Sequence, residues 1–526
     1  MLHLLALAVG LGLPVVRPAD GGPRVAPRYV RLRLDIVAYG VPGRGEMLLD
    51  RATGRYVRQF DAGPVSEREG WDGTRAWRAD ATGMPRVQGN ADLRDAIIAW
   101  SYLAVRAPST EPRVTALPAE LAKDHTPPLR SARIRYAGHS RDVEVVTAPL
   151  TGLVIRVVRH AGEDTVTTTF DDYRAADELI VPFTFAETSE NGRWSARVVG
   201  VETPSAVSDR AFAPPPAPAD SSLAGTTSLP MLGPLQQPVI EVRVDDGPPL
   251  HVVLDTGGQN VLTPDAARRS GLAVVGSGTV GGAGAGLVPV RYATARRVRV
   301  GMAEMRGQPF LVLDLGAGFP VDGIVGYELL ARFAARVDFA HKRVDLAPRA
   351  AAFGNAGTVV PFVFEERMPQ ADGAIDGVPA ALTIDTGSTS ALDVNAPFVR
   401  AHALVQRYSA VPVGTSIYGV GGGVRASVAR AKVLRLGTVR VPNVRLLLTD
   451  ASAGFESNPS VAGNVGDEVL RRFVIVFDYR AMTMRFGPLG ALTATRTSPA
   501  RVQALPVGSL RKPGRRVATG GRRTRP

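Results

Sequence analysis

The sequence of 526 residues predicts a mostly β protein: an antiparallel β domain, then a second β unit present in two copies. Three observations carry that expectation. Short segments of alternating apolar and polar residues fill 28–205, with turn residues between them. A stretch rich in Pro, Ser and Gly interrupts the chain at 206–233. Beyond it, three short motifs occur twice in the same order. The length exceeds what one core supports, so several domains are expected. The absence of cysteine excludes disulfides, thiolate metal centres and a cysteine nucleophile.

Residues 1–22 contain the apolar run Leu4 to Val16. It is too short to span a bilayer and has the length of the apolar core of an export signal. A periplasmic or secreted protein is therefore expected, with a buried N-terminal strand as the alternative. No other stretch is apolar enough for a transmembrane helix.

Within 28–205 the alternation is clearest at Tyr29 to Ile36, Val143 to Val146 and Thr165 to Phe170. Turns fall at Pro42-Gly43, Asp72-Gly73 and Asn191-Gly192. Asp92 to Val105 is the one helix expected there. Trp71, Trp77, Trp100 and Trp194 are all the tryptophans of the chain, and they give this part an aromatic core of its own. Long strands around one helical stretch resemble the half-barrel carriers of the lipoprotein-carrier type. Ala213 to Pro218 holds four prolines and favours polyproline II, so 206–233 reads as a linker.

The net charge is +13, but 501–526 carries eight Lys and Arg and no acid, leaving +5 for everything before it. Residues 490–526 are expected to form a basic disordered tail. The body is only mildly basic, so nucleic acid is not an expected partner. Anchoring through the tail stays open.

The repeat carries the chemistry. Val253-Leu254-Asp255-Thr256-Gly257 returns 130 residues later as Thr383-Ile384-Asp385-Thr386-Gly387. Gly323-Ile324-Val325-Gly326 returns after 140 as Gly463-Asn464-Val465-Gly466, and Val280-Gly281-Gly282 returns after 140 as Val420-Gly421-Gly422. The copies span 235–350 and 356–488. Each Asp ends an apolar strand, where a carboxylate is costly without partners. The glycine after it permits a tight turn whose N–H groups face that carboxylate. In the first copy Thr263-Pro264 then opens a helix that stops at Gly271.

On these residues the chain resembles the retropepsin-like bacterial aspartyl protease family over about residues 235–488. The resemblance implies two β-barrel-like lobes with the active site between them, so a dimer is not required. It implies Asp255 and Asp385 as the catalytic pair, a peptide or protein as substrate, no metal and no cofactor. Two carboxyls in hydrogen-bonding range share one proton. The charged one takes a proton from water, the protonated one polarises the scissile carbonyl, and no covalent intermediate forms.

By the same resemblance, Thr256 and Thr386 lock the two loops together, and Gly257 and Gly387 allow their turns. Ser388 stands where the first copy has Gly258; it is expected to donate to the outer oxygen of Asp385 and favour its charged form. Asn464 puts a polar residue where the first copy has Ile324. The Gly-rich runs Val275 to Leu287 and Tyr418 to Val424 stand where the family carries a hairpin over the substrate. Gly281, Gly282, Tyr418 and Gly421 are the candidate flap residues, a plain flexible loop being the alternative.

The competing reading is a non-catalytic envelope carrier, or a peptide- or lipid-binding protein with a protease-like fold. The second Asp separates the two, because a binder needs no carboxyl pair. The histidines have no metal-ligand spacing. The Gly-rich runs lack the Lys-Ser/Thr of a phosphate loop.

Overall fold

The computed structural model describes residues 27–90, 93–98, 114–116, 120–122, 129–136, 141–148, 150–176, 179–233, 235–316 and 319–489. The expected export segment, the tail, and the expected helix beyond residue 98 lie outside the described residues.

Alternation builds the first sheet. Along Tyr29–Ala38, Val30, Leu32, Leu34, Ile36 and Ala38 are buried while Arg33, Asp35 and Val37 are exposed. This strand pairs antiparallel with Val41–Asp50 on one side and with Gly192–Glu202 on the other. The first and last long strands of this part are therefore neighbours, and a meander continues outward from each. The result is one sheet of fourteen strands, running from Pro85–Val87 at one end to Val114–Ala116 at the other. On its buried face Phe60 and Phe185 both pack against Trp194, Phe185 edge-on. Trp194 Nε1 donates to Glu187 Oε1 at 3.1 Å, and Glu187 also meets Arg159 at 2.7 Å. Residues 93–98 are helical and bury Leu93, Ala96 and Ile97.

Two expectations need correction here. The tryptophans do not share one core: Trp77 belongs to a separate cluster with Phe212, and Trp100 lies outside the described residues. Nor is 206–233 a free linker. Trp77 Nε1 donates to the Phe212 carbonyl at 3.0 Å, and Phe212, Thr227 and Leu229 are buried. Asp220 pairs with the fully buried Arg332. Ser221–Ser222 and Thr227–Pro230 add edge strands to two of the C-terminal sheets. An extended Pro-rich chain makes no hydrogen bonds within itself, which leaves it free to lie as a strap on neighbouring surfaces.

The C-terminal part consists of two eight-stranded sheets and a six-stranded one. The two larger sheets repeat one arrangement. The strand ending before each Asp, Pro249–Leu254 or Val378–Ile384, lies parallel to the short strand Gly323–Val325 or Gly463–Val465. The six-stranded sheet joins the two lobes, with Ala334–Asp338 of the first against Phe473–Asp478 of the second. The architecture is thus mostly β and two-lobed, preceded by an antiparallel sheet. That sheet packs on the lobes through Arg78–Glu366 at 2.7 Å and Asn90–Gln370 at 3.2 Å. Among the described residues no helix is long and apolar enough to cross a membrane.

Candidate active site

Leu254 and Ile384, both fully buried, end the two parallel strands, and the next residues are Asp255 and Asp385. The chain turns at once in both places. Gly257 N–H donates to Asp255 Oδ1 and Gly387 N–H donates to Asp385 Oδ1, each at 2.7 Å. The threonines between them interlock across the two lobes. Thr256 Oγ1 donates to the Ile384 carbonyl at 2.7 Å and accepts the Thr386 N–H at 3.0 Å. Thr386 Oγ1 donates to the Leu254 carbonyl at 2.6 Å and accepts the Thr256 N–H at 3.1 Å. Four hydrogen bonds with an approximate twofold relation therefore fix one Asp against the other.

The glycines set how close the carboxyls come. A Cβ on Gly257 would lie 2.7 Å from Asp385 Cγ, and one on Gly387 would lie 2.6 Å from Asp255 Cγ. Neither position tolerates a side chain without moving a carboxyl. Gly326 and Gly466 support the loops from beneath: a Cβ there would fall 2.3 Å from the Gly258 carbonyl oxygen and 2.5 Å from the Ser390 carbonyl oxygen. The Tyr327 N–H and the Asp467 N–H donate to the carbonyls of Gly258 and Ser388 at 3.0 and 2.8 Å.

Asp255 and Asp385 lie so that each carboxyl abuts the glycine of the other's loop, and a side-chain hydrogen bond to Asp385 is among the causes that raise Asp255. Burial first, and the charge of Asp385 second, push Asp255 well above the usual carboxylate range. A raised Asp255 beside a second carboxyl is the arrangement in which one proton can be shared.

Ser388 does not take the expected place. Its Oγ lies 2.9 Å from Ser390 Oγ and 3.4 Å from Asp393 Oδ2, away from Asp385. The donor to the outer oxygen of Asp385 is Asn464, whose Nδ2 stands 2.7 Å from Oδ2. The side chain that looked out of place in an apolar slot is the one that touches the carboxylate. Three buried acids around this lobe also went unread in the sequence. Burial pushes Asp467 up to about 9 and Asp393 up to about 7, and raises Glu456 well above the carboxylate range. Neither carboxyl oxygen of Asp467 has a hydrogen-bond partner in the structure. Only their scatter across 75 residues of sequence hid them: 393, 456 and 467 share no local motif.

The Gly-rich runs form hairpin tips. Val274–Val280 pairs with Val288–Val300, and Val411–Gly419 with Gly422–Leu436. The two tips meet: the Gly284 N–H donates to the Val420 carbonyl at 3.1 Å, and the Gly286 N–H to the Gly421 carbonyl at 2.9 Å. The Phe455 N–H donates to the Gly282 carbonyl at 2.8 Å. The first hairpin is also tied to the N-terminal sheet, since the Ser277 N–H donates to the Tyr39 carbonyl at 2.8 Å and the Thr279 N–H to the Asn191 carbonyl at 3.3 Å. Gly281, Gly282 and Gly421 lie in this junction. Tyr418 does not reach inward; its side chain points to solvent, with the residue 76 % exposed. One apolar cluster takes in Val261 and Ile324 near the Asp255 loop together with Val280, Val288 and Val420 of the tips.

The glycines of the tips serve close approach more than freedom. A Cβ on Gly284 would fall 2.3 Å from Gly421 backbone atoms. Gly284→Val is therefore expected to part the tips. Losing two backbone hydrogen bonds corresponds to roughly a tenfold rise in the open population. Limited digestion with a broad-specificity protease should then cut within 281–287 about tenfold faster than in the parent protein, and an unchanged rate would contradict the junction.

The geometry agrees with what sequence comparison finds. A family model described as aspartyl protease matches residues 240–329, which include Asp255-Thr256-Gly257 and Ile324-Val325-Gly326. Among curated proteins nothing matches. Among solved structures 361 chains match. One is an aspartic proteinase from Irpex lacteus, 16 % identical, covering 51 % of this chain and 99 % of that one with a TM-score of 0.37.

Proposed function

We propose that the protein is an aspartic endopeptidase and that Asp255 and Asp385 are its catalytic pair. The observation that carries this reading is the carboxyl pair itself: two half-buried Asp side chains that act on each other, each held by the N–H of the glycine two residues on, each from an equivalent loop, locked by reciprocal threonines. The match of 240–329 to an aspartyl protease model supports a hydrolase of this kind.

In this mechanism Asp385 carries the charge and removes a proton from a water held between the carboxyls. Asp255 carries the shared proton and donates a hydrogen bond to the scissile carbonyl oxygen. Water adds to the carbonyl carbon as Asp255 passes its proton to the carbonyl oxygen, which gives a tetrahedral diol. Proton transfer to the amide nitrogen then releases the amine, and the pair returns to its starting state. The substrate is a peptide or protein segment. Because both carboxyls come from one chain, no second copy is needed to complete the site. The repeated strand pairings of the two lobes support an origin by duplication. The apolar run Leu4 to Val16 supports an exported protein.

The test is incubation of the purified protein with a peptide library between acid and neutral pH, beside Asp385→Asn. Cleavage products that the variant fails to make are expected. Equal product from both proteins, or none from either across the range, would contradict the reading.

A further inference from the structure

One difference between the two lobes, at a pair of equivalent positions, falls on the carboxyl pair. In the first lobe the parallel register sets Val253 beside Ile324. In the second it sets Thr383 beside Asn464. An apolar pair in one lobe is thus a polar pair in the other. Thr383 is fully buried and Asn464 nearly so.

The polar pair forms a directed chain. Thr383 Oγ1 donates to Asn464 Oδ1 at 2.8 Å, and Asn464 Nδ2 donates to Asp385 Oδ2 at 2.7 Å. A hydroxyl that donates to the amide oxygen turns the NH₂ toward the carboxyl of Asp385, which accepts more strongly when charged. Among the described residues no side-chain amide reaches Asp255, whose donors are the backbone N–H groups of Gly257 and Gly258: Ile324 stands at the matching place, its Cγ2 3.4 Å from where a Cβ of Gly258 would be.

We propose that Asn464, oriented by Thr383, fixes which member of the pair is charged, holding the negative charge on Asp385 and so leaving the proton on Asp255. Asn464 is a positioning residue: it acts on the reaction through Asp385. The site needs one. Ionisable groups coupled to Asp385 include Asp255 from the other lobe, Asp393 from Leu392–Val394, Glu456 from Phe455–Ser457, Asp467 from the helix after Gly466, and Tyr479 after Phe473–Asp478. None of these five is a cation, and the arginines of the cluster, Arg471 and Arg445, act on Asp467 and Asp393, so a neutral donor at hydrogen-bond distance from Asp385 has a large influence on where the charge rests.

This inference rests on the proposed proteolysis only for its kinetic test. Asn464→Ile gives the second lobe the residue of the first and removes the donor. Thr383→Val is close to isosteric and removes the hydroxyl that orients Asn464, together with its 3.3 Å bond to the Gly463 carbonyl. A donor to the charged form holds the acidic limb of the pH–rate profile down, so its loss moves that limb up. For Asn464→Ile the shift expected is on the order of one pH unit. Thr383→Val should move the limb in the same direction by less. A purely structural role would lower stability and leave the limb where it was. The second readout is a ¹³C-carboxyl NMR titration of the Asp pair in parent and variant proteins, which needs no turnover. An upward shift of the lower transition of the pair supports the proposal even if no peptide is cleaved. A folded Asn464→Ile or Thr383→Val protein with that transition unmoved overturns it.

Discussion

Gly387→Ala is expected to abolish peptide cleavage in a protein whose N-terminal sheet still folds, and Gly257→Ala to do the same. Neither glycine has a positive φ, so backbone conformation does not demand glycine at either place. Space does. The added methyl on residue 387 would sit 2.6 Å from Asp255 Cγ, and the one on residue 257 would sit 2.7 Å from Asp385 Cγ. The carboxyls cannot give way cheaply, because each is tied to a backbone N–H at 2.7 Å and its loop is locked to the other lobe. The overlap is therefore relieved by parting the pair. A misplacement of about 1 Å costs on the order of 10²-fold in rate, and a pair that no longer shares a proton loses more. The measurement is kcat/KM on any peptide the parent cleaves. A value within tenfold of the parent would show that the contact is looser than described.

The second large effect is on stability. Thr256→Val removes a hydroxyl that both donates to the Ile384 carbonyl and accepts the Thr386 N–H, and Thr386→Val does the equivalent damage at Leu254 and Thr256. Both threonines are buried, so the abandoned backbone groups find no water. A buried group left unpaired costs about 1–3 kcal/mol, so each variant should lose about 2–4 kcal/mol by chemical denaturation. The double variant should lose less than the sum, since the hydroxyls belong to one network. Thr→Ser at either place keeps the hydroxyl and should lose far less. A cost for Thr→Val below about 0.5 kcal/mol would mean that the lobes are held together elsewhere.

Local pattern was the legible part of the sequence. Alternation marked Tyr29–Ala38 and its neighbours because one face of that sheet is buried and the other wet. The two Asp-Thr-Gly segments were visible because each is contiguous. What could not be read were partners distant in sequence. Thr383 and Asn464 are neighbours only through a parallel register, so the polar change at both was not recognised as one event. Ser388 was assigned by its place after the motif, but its hydroxyl turned to Ser390 and Asp393. The segment 206–233 was read by composition, which does not register that Phe212 and Leu229 find pockets in other parts of the fold. Glycine richness suggests a mobile tip, whereas Gly284 is needed where two backbones touch.

The most direct test of concerted action by Asp255 and Asp385 is a comparison of kcat/KM for Asp255→Asn, Asp385→Asn and the double variant on one cleaved peptide. Groups that work as a unit give losses that do not add. Each single variant is predicted to lose on the order of 10³-fold or more, and the double variant no more than the worse single one. Losses that multiply, or a single variant that retains cleavage, would contradict a shared catalytic pair.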